Sequence, residues 1–411
     1  MSKSLKLNAA MAVGFRFLIK ASNFLVFLIV ARVLSQEEFG TYGYLLTLTL
    51  FFSTLFDFGA RHSIGYYVGE NANRSRSALW QTVSLNVVFF VIGALAFYLF
   101  TMTRFFEEIV PVEVWQILLL FAGQLSMRMV QGVPIGLKRM KLFNMIDALP
   151  RVVQLFLFSI LLFFPSLISL SLVLIISSLT FFISAVFGYK VLFTATTELR
   201  SERVPLKDVL IRGGQYMPGA LLMILLRQST LFIVPLVSSS PQHVGALFAA
   251  LRLSQIVTEV ATAIGVAVFA NSIGRHTTKE PAIEAMVMMR LMMLPLSVVA
   301  FTMVFTAPWI IPPLVGQEYR EYVDVFRIMF IGALFSASWS ILFPALTALR
   351  SPITSSYLLA FLPVTFILIY FMTTEYGAEG AAFAYAFTQG AITLSFIVYF
   401  WWRLGVSPIA K

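Results

Sequence analysis

Ile168 to Lys190, ISLSLVLIISSLTFFISAVFGYK, runs 23 residues and holds no charge until its last position. As an α-helix it would extend about 34 Å, enough to cross a hydrocarbon core of about 30 Å. Runs of the same kind recur on both sides of it. The spans predicted in this way are 12–34, 41–60, 77–101, 114–136, 142–165, 168–190, 214–237, 244–270, 284–306, 323–348, 353–373 and 379–402. The expectation is an all-α polytopic membrane protein of about twelve transmembrane helices.

Composition agrees with this reading. Of 411 residues, 59% are hydrophobic and only 12% are charged, with a mean hydropathy of +0.88. Soluble domains carry about 25% charged residues, so the bilayer must act as solvent for most of this chain. The alternating ten-residue pattern of a membrane barrel is absent, which leaves the helix as the spanning structure that satisfies its own backbone. The apolar run from Met11 to Leu34 carries Arg16 and Lys20 and no small-residue cleavage site, so it reads as the first membrane helix, not a signal peptide. With no cysteine there is no disulfide framework, thiolate metal site or cysteine nucleophile.

The net charge of +10 could suggest a nucleic-acid partner, but the basic residues sit mostly in short inter-helix loops, so no nucleic acid is expected. With a cytoplasmic N-terminus, the inside segments hold eighteen Lys and Arg, whereas the outside loops hold only Arg104 and Arg320. That bias places both termini in the cytoplasm. The longest hydrophilic stretch, from Thr194 to Arg212, divides the chain into an N-terminal six-helix bundle (1–192), a cytoplasmic linker (193–213) and a C-terminal six-helix bundle (214–411). Weak internal similarity supports two halves. Ser35-Gln36-Glu37-Glu38-Phe39-Gly40 resembles Ser240-Pro241-Gln242-His243-Val244-Gly245 at an offset of 205 residues, as a duplicated transporter would show.

Nine basic residues fall inside the spans. Arg16, Arg32, Arg290 and Arg327 lie within a turn or two of a helix end, where long side chains can snorkel to the headgroups. Lys20, Arg128, Arg151, Arg227 and Arg252 lie deeper, where a charge costs roughly 2.5 to 3.5 kcal/mol, and should face protein or water. Polar residues accompany them at helical spacing. Asn144, Asp147, Arg151 and Gln154 form one stripe, and Arg252, Gln255, Glu259 and Thr262 repeat it. Gln124, Arg128 and Gln131 form a third, Arg16, Lys20 and Asn23 a fourth, and Thr49, Ser53 and Asp57 a fainter fifth. Stripes on several helices imply a hydrated cavity. The competing reading is interhelical hydrogen-bond seams.

Five deep cations face two acids of comparable depth, Asp147 and Glu259. About three positive charges then lack a counter-ion, and the ligand expected is an anion such as phosphate or pyrophosphate, which arginine binds bidentately. The candidate substrate-binding set is Lys20, Arg128, Arg151, Arg227 and Arg252, with Arg16 on the stripe of Lys20. Asp57, Asp147 and Glu259 are candidates for coupling or charge pairing, and Pro218-Gly219 is the candidate hinge. An enzyme is not expected. Outside loops reach about 16 residues, and no Asp-x-Asp pair, metal-spaced histidines, nucleophile motif or phosphate-binding Gly-Lys loop occurs. No cofactor or metal is implied.

The run Ala31-Arg32-Val33-Leu34-Ser35-Gln36-Glu37-Glu38-Phe39-Gly40, the Asp57-Phe58-Gly59 that follows, and Tyr376-Gly377-Ala378-Glu379-Gly380-Ala381-Ala382 resemble polysaccharide-repeat flippases of the Wzx type. That family belongs to a superfamily with multidrug exporters and peptidoglycan-precursor flippases. The resemblance covers the full length. It implies movement of an undecaprenyl-pyrophosphate-linked oligosaccharide from the cytoplasmic to the outer leaflet of the inner membrane by alternating access, with membrane lipids and polysaccharide polymerase machinery as partners. By helix number and depth, the family's cationic lumen would correspond to Lys20, Arg128, Arg151, Arg227 and Arg252. A multidrug or cation antiporter of the same superfamily is the alternative. It would be expected to place a carboxylate deep in span 12–34 or 214–237, where this chain carries Lys20 and Arg227.

Overall fold

The computed structural model describes residues 19, 21–102, 112–164, 167–197, 202–238, 240–272, 279–349 and 358–405. Among them every regular element is helical. The helices are α1 (Ala21–Val33), α2 (Gln36–Phe56), α3 (Ala60–Glu70), α4 (Ser75–Thr101), α5 (Val114–Val130), α6 (Gly132–Gly136) and α7 (Met140–Leu161). Then follow α8 (Leu170–Ala195), α9 (Leu206–Arg227), α10 (Ser229–Val237), α11 (Pro241–Ser272), α12 (Lys279–Val315), α13 (Val323–Leu349) and α14 (Phe361–Leu404). Ten helical stretches among the described residues are long and apolar enough to cross a membrane, and α1 is a shorter apolar helix. The chain is therefore a multi-pass membrane protein.

Several boundaries differ from the sequence expectation for identifiable reasons. The span expected at 41–60 ends at Phe56, because Phe58 and Gly59 take left-handed backbone (φ 47° and 67°) and turn the chain into α3, a short helix that the hydropathy pattern did not show. The span at 214–237 is two helices meeting at Gln228, and the first of them begins at Leu206, inside the expected linker. At the C-terminus, 353–373 and 379–402 fall largely on one element. The 44 residues of α14 would measure about 66 Å, twice a bilayer core. A kink at Gly377 (φ 58°, ψ −136°) divides it into two helices. The start of the expected 353–373 span lies outside the described residues.

The chain forms two compact units, Met1–Ser35 with Leu45–Leu221, and Gln36–Tyr44 with Leu222–Lys411. In the first, α5 packs on α8 and α4, α7 packs on α8, and α3 lies along α6. In the second, α13 is the central helix, flanked by α11, α12 and α14. The outer helices show broad apolar surface, with Trp80, Val87, Val91 and Leu95 exposed on α4 and Leu294, Val298, Phe305 and Trp309 exposed on α12. Such faces suit hydrocarbon.

Prolines lie inside several of these helices, and two of the carbonyls they free find donors. Pro150 has no N–H for the carbonyl of Ile146, and Ser184 of α8 donates to it instead. Pro308 likewise frees the carbonyl of Val304, which accepts from Arg327 Nε at 3.1 Å. Arg327 also pairs with Asp324 at 2.7 Å.

In the second unit the two similar hexapeptides meet. A Cβ on Gly40 would lie 2.6 Å from the backbone nitrogen of Gly245, and one on Gly245 would collide with the carbonyl of Gln36. Only glycine permits α2 and α11 to cross so closely. Phe248 closes the crossing, with its ring centroid 4.9 Å from that of Phe39.

Candidate functional site

Arg16 and Lys20 lie outside the described residues. Of the remaining charged candidates, most fall in two clusters, one in each unit, and Arg151 lies apart from both.

In the first unit, Asp57 ends α2. Its Oδ1 accepts from the Gly59 N–H at 2.7 Å and so secures the left-handed turn. Its Oδ2 accepts from Arg128 of α5, from Nη2 at 2.7 Å and from Nε at 2.9 Å. The Asp57 side chain is 2% exposed and that of Arg128 16%, so this is a buried, charge-assisted pair. Arg128 has no acid on its own helical stripe. Its counter-ion is supplied from 71 residues away because the chain folds back at Gly59.

Arg61, which the sequence reading left in a cytoplasmic loop, joins this cluster from α3. Its Nη1 donates to Gln131 Oε1 at 2.9 Å at the α5–α6 junction, and its buried Nε has no acceptor among the described residues. Burial, then the charge of Arg128, draws the guanidinium down from its ordinary 12.5 to about 10, so it stays cationic at neutral pH. Asp57 and Asp147 act on it in the opposite sense, which places Asp147 in the same electrostatic neighbourhood. Burial, and next Arg61, pulls the adjacent His62 down to about 4. The His62 ring stacks on Tyr216 of α9 (centroids 5.7 Å apart), and the Arg212 guanidinium covers the Tyr66 ring at 3.2 Å. These contacts tie α3 to the start of α9.

Arg151 stands apart on α7. It donates to Gln154 at 3.1 Å and lies 5.0 Å from the ring centroid of Phe181 on α8. Gln154 in turn donates to Thr180 at 2.9 Å and is fully buried. This end of the stripe is an interhelical seam. Thr49 and Ser53, also buried, bond to their own helix backbone.

The second cluster surrounds Arg227, the last residue of α9. Its Nη2 donates to Ser340 Oγ at 2.6 Å, and its guanidinium lies 5.0 Å from the ring centroid of Trp339. Ser340 Oγ donates onward to the Ser336 carbonyl at 2.6 Å. The Arg227 Nε is buried and meets no acceptor among the described residues, an orphaned donor that a bound anion would satisfy. Glu259 of α11 is near enough for its charge to act on Arg227. About two turns away on α11, Arg252 repeats the arrangement of Arg151, with its Nη1 3.2 Å from Gln255 Oε1 and its guanidinium 5.0 Å from the ring centroid of Phe248. Sequence reasoning missed Ser340, Trp339, Tyr385 and Gln389. Single polar or aromatic residues in apolar runs carry no period, and only the fold brings these to Arg227.

Pro218 and Gly219 sit within an unbroken stretch of α9. Pro218 frees the carbonyl of Gly214, and among the described residues no donor from another element reaches it, unlike the carbonyls freed by Pro150 and Pro308. The break in this run of sequence comes at Gln228.

Two compact helical units carrying ten helical stretches long and apolar enough to cross a membrane, counted among the described residues, define a polytopic membrane protein. Residues 7–272 match the family described as "Polysaccharide biosynthesis protein", and the chain belongs to that family. This is the family relation that the Ala31–Gly40 and Asp57–Gly59 motifs implied. No curated protein matches by sequence. Among solved structures, the chain is similar to the lipid II flippase MurJ in an inward closed conformation (TM-score 0.70, 11% identity, 97% of this chain and 88% of that one). It is also similar to an inward-facing multidrug resistance MATE family transporter of the MOP superfamily (TM-score 0.65, 13% identity, 94% of each chain). A third match is the Vibrio cholerae MATE transporter VcmN in the bent form (TM-score 0.54, 12% identity, 96% and 98%). At these identities the likeness establishes the fold.

Proposed function

We propose that this protein flips an undecaprenyl-pyrophosphate-linked oligosaccharide repeat unit from the cytoplasmic to the outer leaflet of the inner membrane by alternating access. The observation that carries the reading is Arg227, a guanidinium with a buried Nε that meets no acceptor among the described residues, one Nη on Ser340 and an indole against its face. Such a group is poised for an anionic ligand. Membership of a polysaccharide biosynthesis family and the fold shared with a lipid II flippase support a lipid-linked cargo.

On this reading Arg227 and Arg252, with Arg151, Arg128, Lys20 and Arg16, contact the pyrophosphate along its path. Asp57, Asp147 and Glu259 balance charge when the site is empty. Twelve spans arranged as halves 1–192 and 214–411, joined by 193–213 and with both termini cytoplasmic, complete the proposal. The polysaccharide polymerase machinery would receive the product. Pro218-Gly219 serves as the hinge, supported by the unshared carbonyl of Gly214.

The antiporter reading draws on the MATE likeness. It is disfavoured by the sign of the charge in spans 12–34 and 214–237, which carry Arg16, Lys20 and Arg227 and no carboxylate of comparable depth. The test is surface polysaccharide in a flippase-deficient host. Arg227→Ala and Arg252→Ala should lose export at normal membrane abundance, and Lys at either site should restore it only in part. Wild-type export by both alanine variants would overturn the proposal. Single cysteines at Ser166 or Ser239 should label from outside, and one at exposed Lys138 should not.

A further inference from the structure

Arg227 stands at a break in the helical path, where a side chain is poorly fixed unless something else holds it. Gln228 leaves helical geometry (φ −114°, ψ 17°), and the carbonyl of Leu226 loses its regular partner one turn on. Two groups reach that carbonyl, Ser229 Oγ at 3.3 Å and Gln389 Nε2 of α14 at 3.2 Å. The same Gln389 accepts from Trp339 Nε1 at 2.8 Å through its Oε1. Trp339 is stacked on Phe396, with centroids 6.4 Å apart and planes 7° from parallel, and its opposite role is to lie against the Arg227 guanidinium. Gln389 and Trp339 are both fully buried.

We infer that Gln389 is a positioning residue for the anion site, and that it acts through both ends of its amide. One end holds the peptide carbonyl immediately before Arg227. The other fixes the indole against which the guanidinium lies. Backbone and ring are thereby set in one register, and Arg227 presents its Nε in a single direction. This rests on the anion-binding reading above. It goes beyond it because Gln389 and Trp339 touch no ligand in that reading, yet should govern its affinity. A buried amide satisfied at both ends is also a rigid link, since breaking either bond strands a polar group.

The experiment is binding of inorganic pyrophosphate to the purified full-length protein, with thermal stability measured in parallel. Gln389→Met, which is similar in shape but lacks both bonds, should weaken pyrophosphate binding about three- to tenfold, the cost of one or two net hydrogen bonds. In an Arg227→Ala background the same change should add nothing, because the site it orients is gone. Should Gln389→Met fail to fold, Trp339→Phe reads the same link, keeping an aromatic face and losing the indole N–H, and should weaken binding in the same range. A lowered melting temperature with unchanged affinity would show a purely structural role and overturn the inference. Wild-type pyrophosphate affinity in Arg227→Ala alone would instead overturn the anion site itself.

Discussion

Removing Asp57 should cost more stability than any other single carboxylate change among the described residues, because Arg128 would be left charged and buried. At 2.7 Å and an effective dielectric of about 20, the attraction between the two is about 6 kcal/mol, most of it offset by what both groups lost on leaving water. Breaking such a pair from one side typically costs about 3 to 5 kcal/mol. Asp57→Ala also forfeits the bond from the Gly59 N–H, about 1 kcal/mol more. Asp57→Asn keeps that turn bond and loses only the charge, so it should fall between alanine and wild type. Arg128→Met combined with Asp57→Asn should regain most of the loss, since no unpaired charge remains. The assay is reversible denaturation of the detergent-solubilised protein, followed by helicity. Equal stability of wild type and Asp57→Asn, or additive losses in the double variant, would refute the buried-pair account.

Three further outcomes follow. Gly245→Val should block the crossing of α2 and α11, because its side chain would occupy the space of the Gln36 carbonyl, and export should fall to background while a change at exposed Gln242 does not matter. His62 is held below its ordinary 6.5, at about 4, so the folded state binds fewer protons than the unfolded chain between these values. Its contribution to stability is present above pH 6.5 and is lost as pH falls toward 4, and His62→Gln should flatten the melting profile over that window. Replacing Pro218 and Gly219 together by Ala should slow transport without lowering membrane abundance, and unchanged flux would reject the hinge.

Much of the helical architecture was legible in the sequence because membrane spans are dictated by length and apolarity, and α4, α7 and α8 lie within a few residues of the expected spans. The misplaced boundaries share a cause. At Phe58-Gly59, Gln228 and Gly377 the chain changes direction through backbone conformation, which hydropathy does not register. Arginines within apolar runs stand out in the sequence for the converse reason, since each is expensive there and therefore conspicuous. Their partners do not. Asp57 meets Arg128 from 71 residues away, and Gln389 meets Leu226 from 163. Pairings of that range depend on which helix faces which. The similar hexapeptides at 35–40 and 240–245 were visible as an internal echo, but their glycines touch only because the crossing of α2 and α11 brings them together.

The most direct measurement is translocation itself, with the purified protein in proteoliposomes loaded on one leaflet with an undecaprenyl-pyrophosphate oligosaccharide whose arrival in the other leaflet is scored by an impermeant glycosidase. The account predicts protein-dependent translocation, competed by excess undecaprenyl pyrophosphate and abolished in Arg227→Ala. Translocation that persists unchanged in Arg227→Ala, or efflux of a cationic drug with no movement of the lipid, would contradict it.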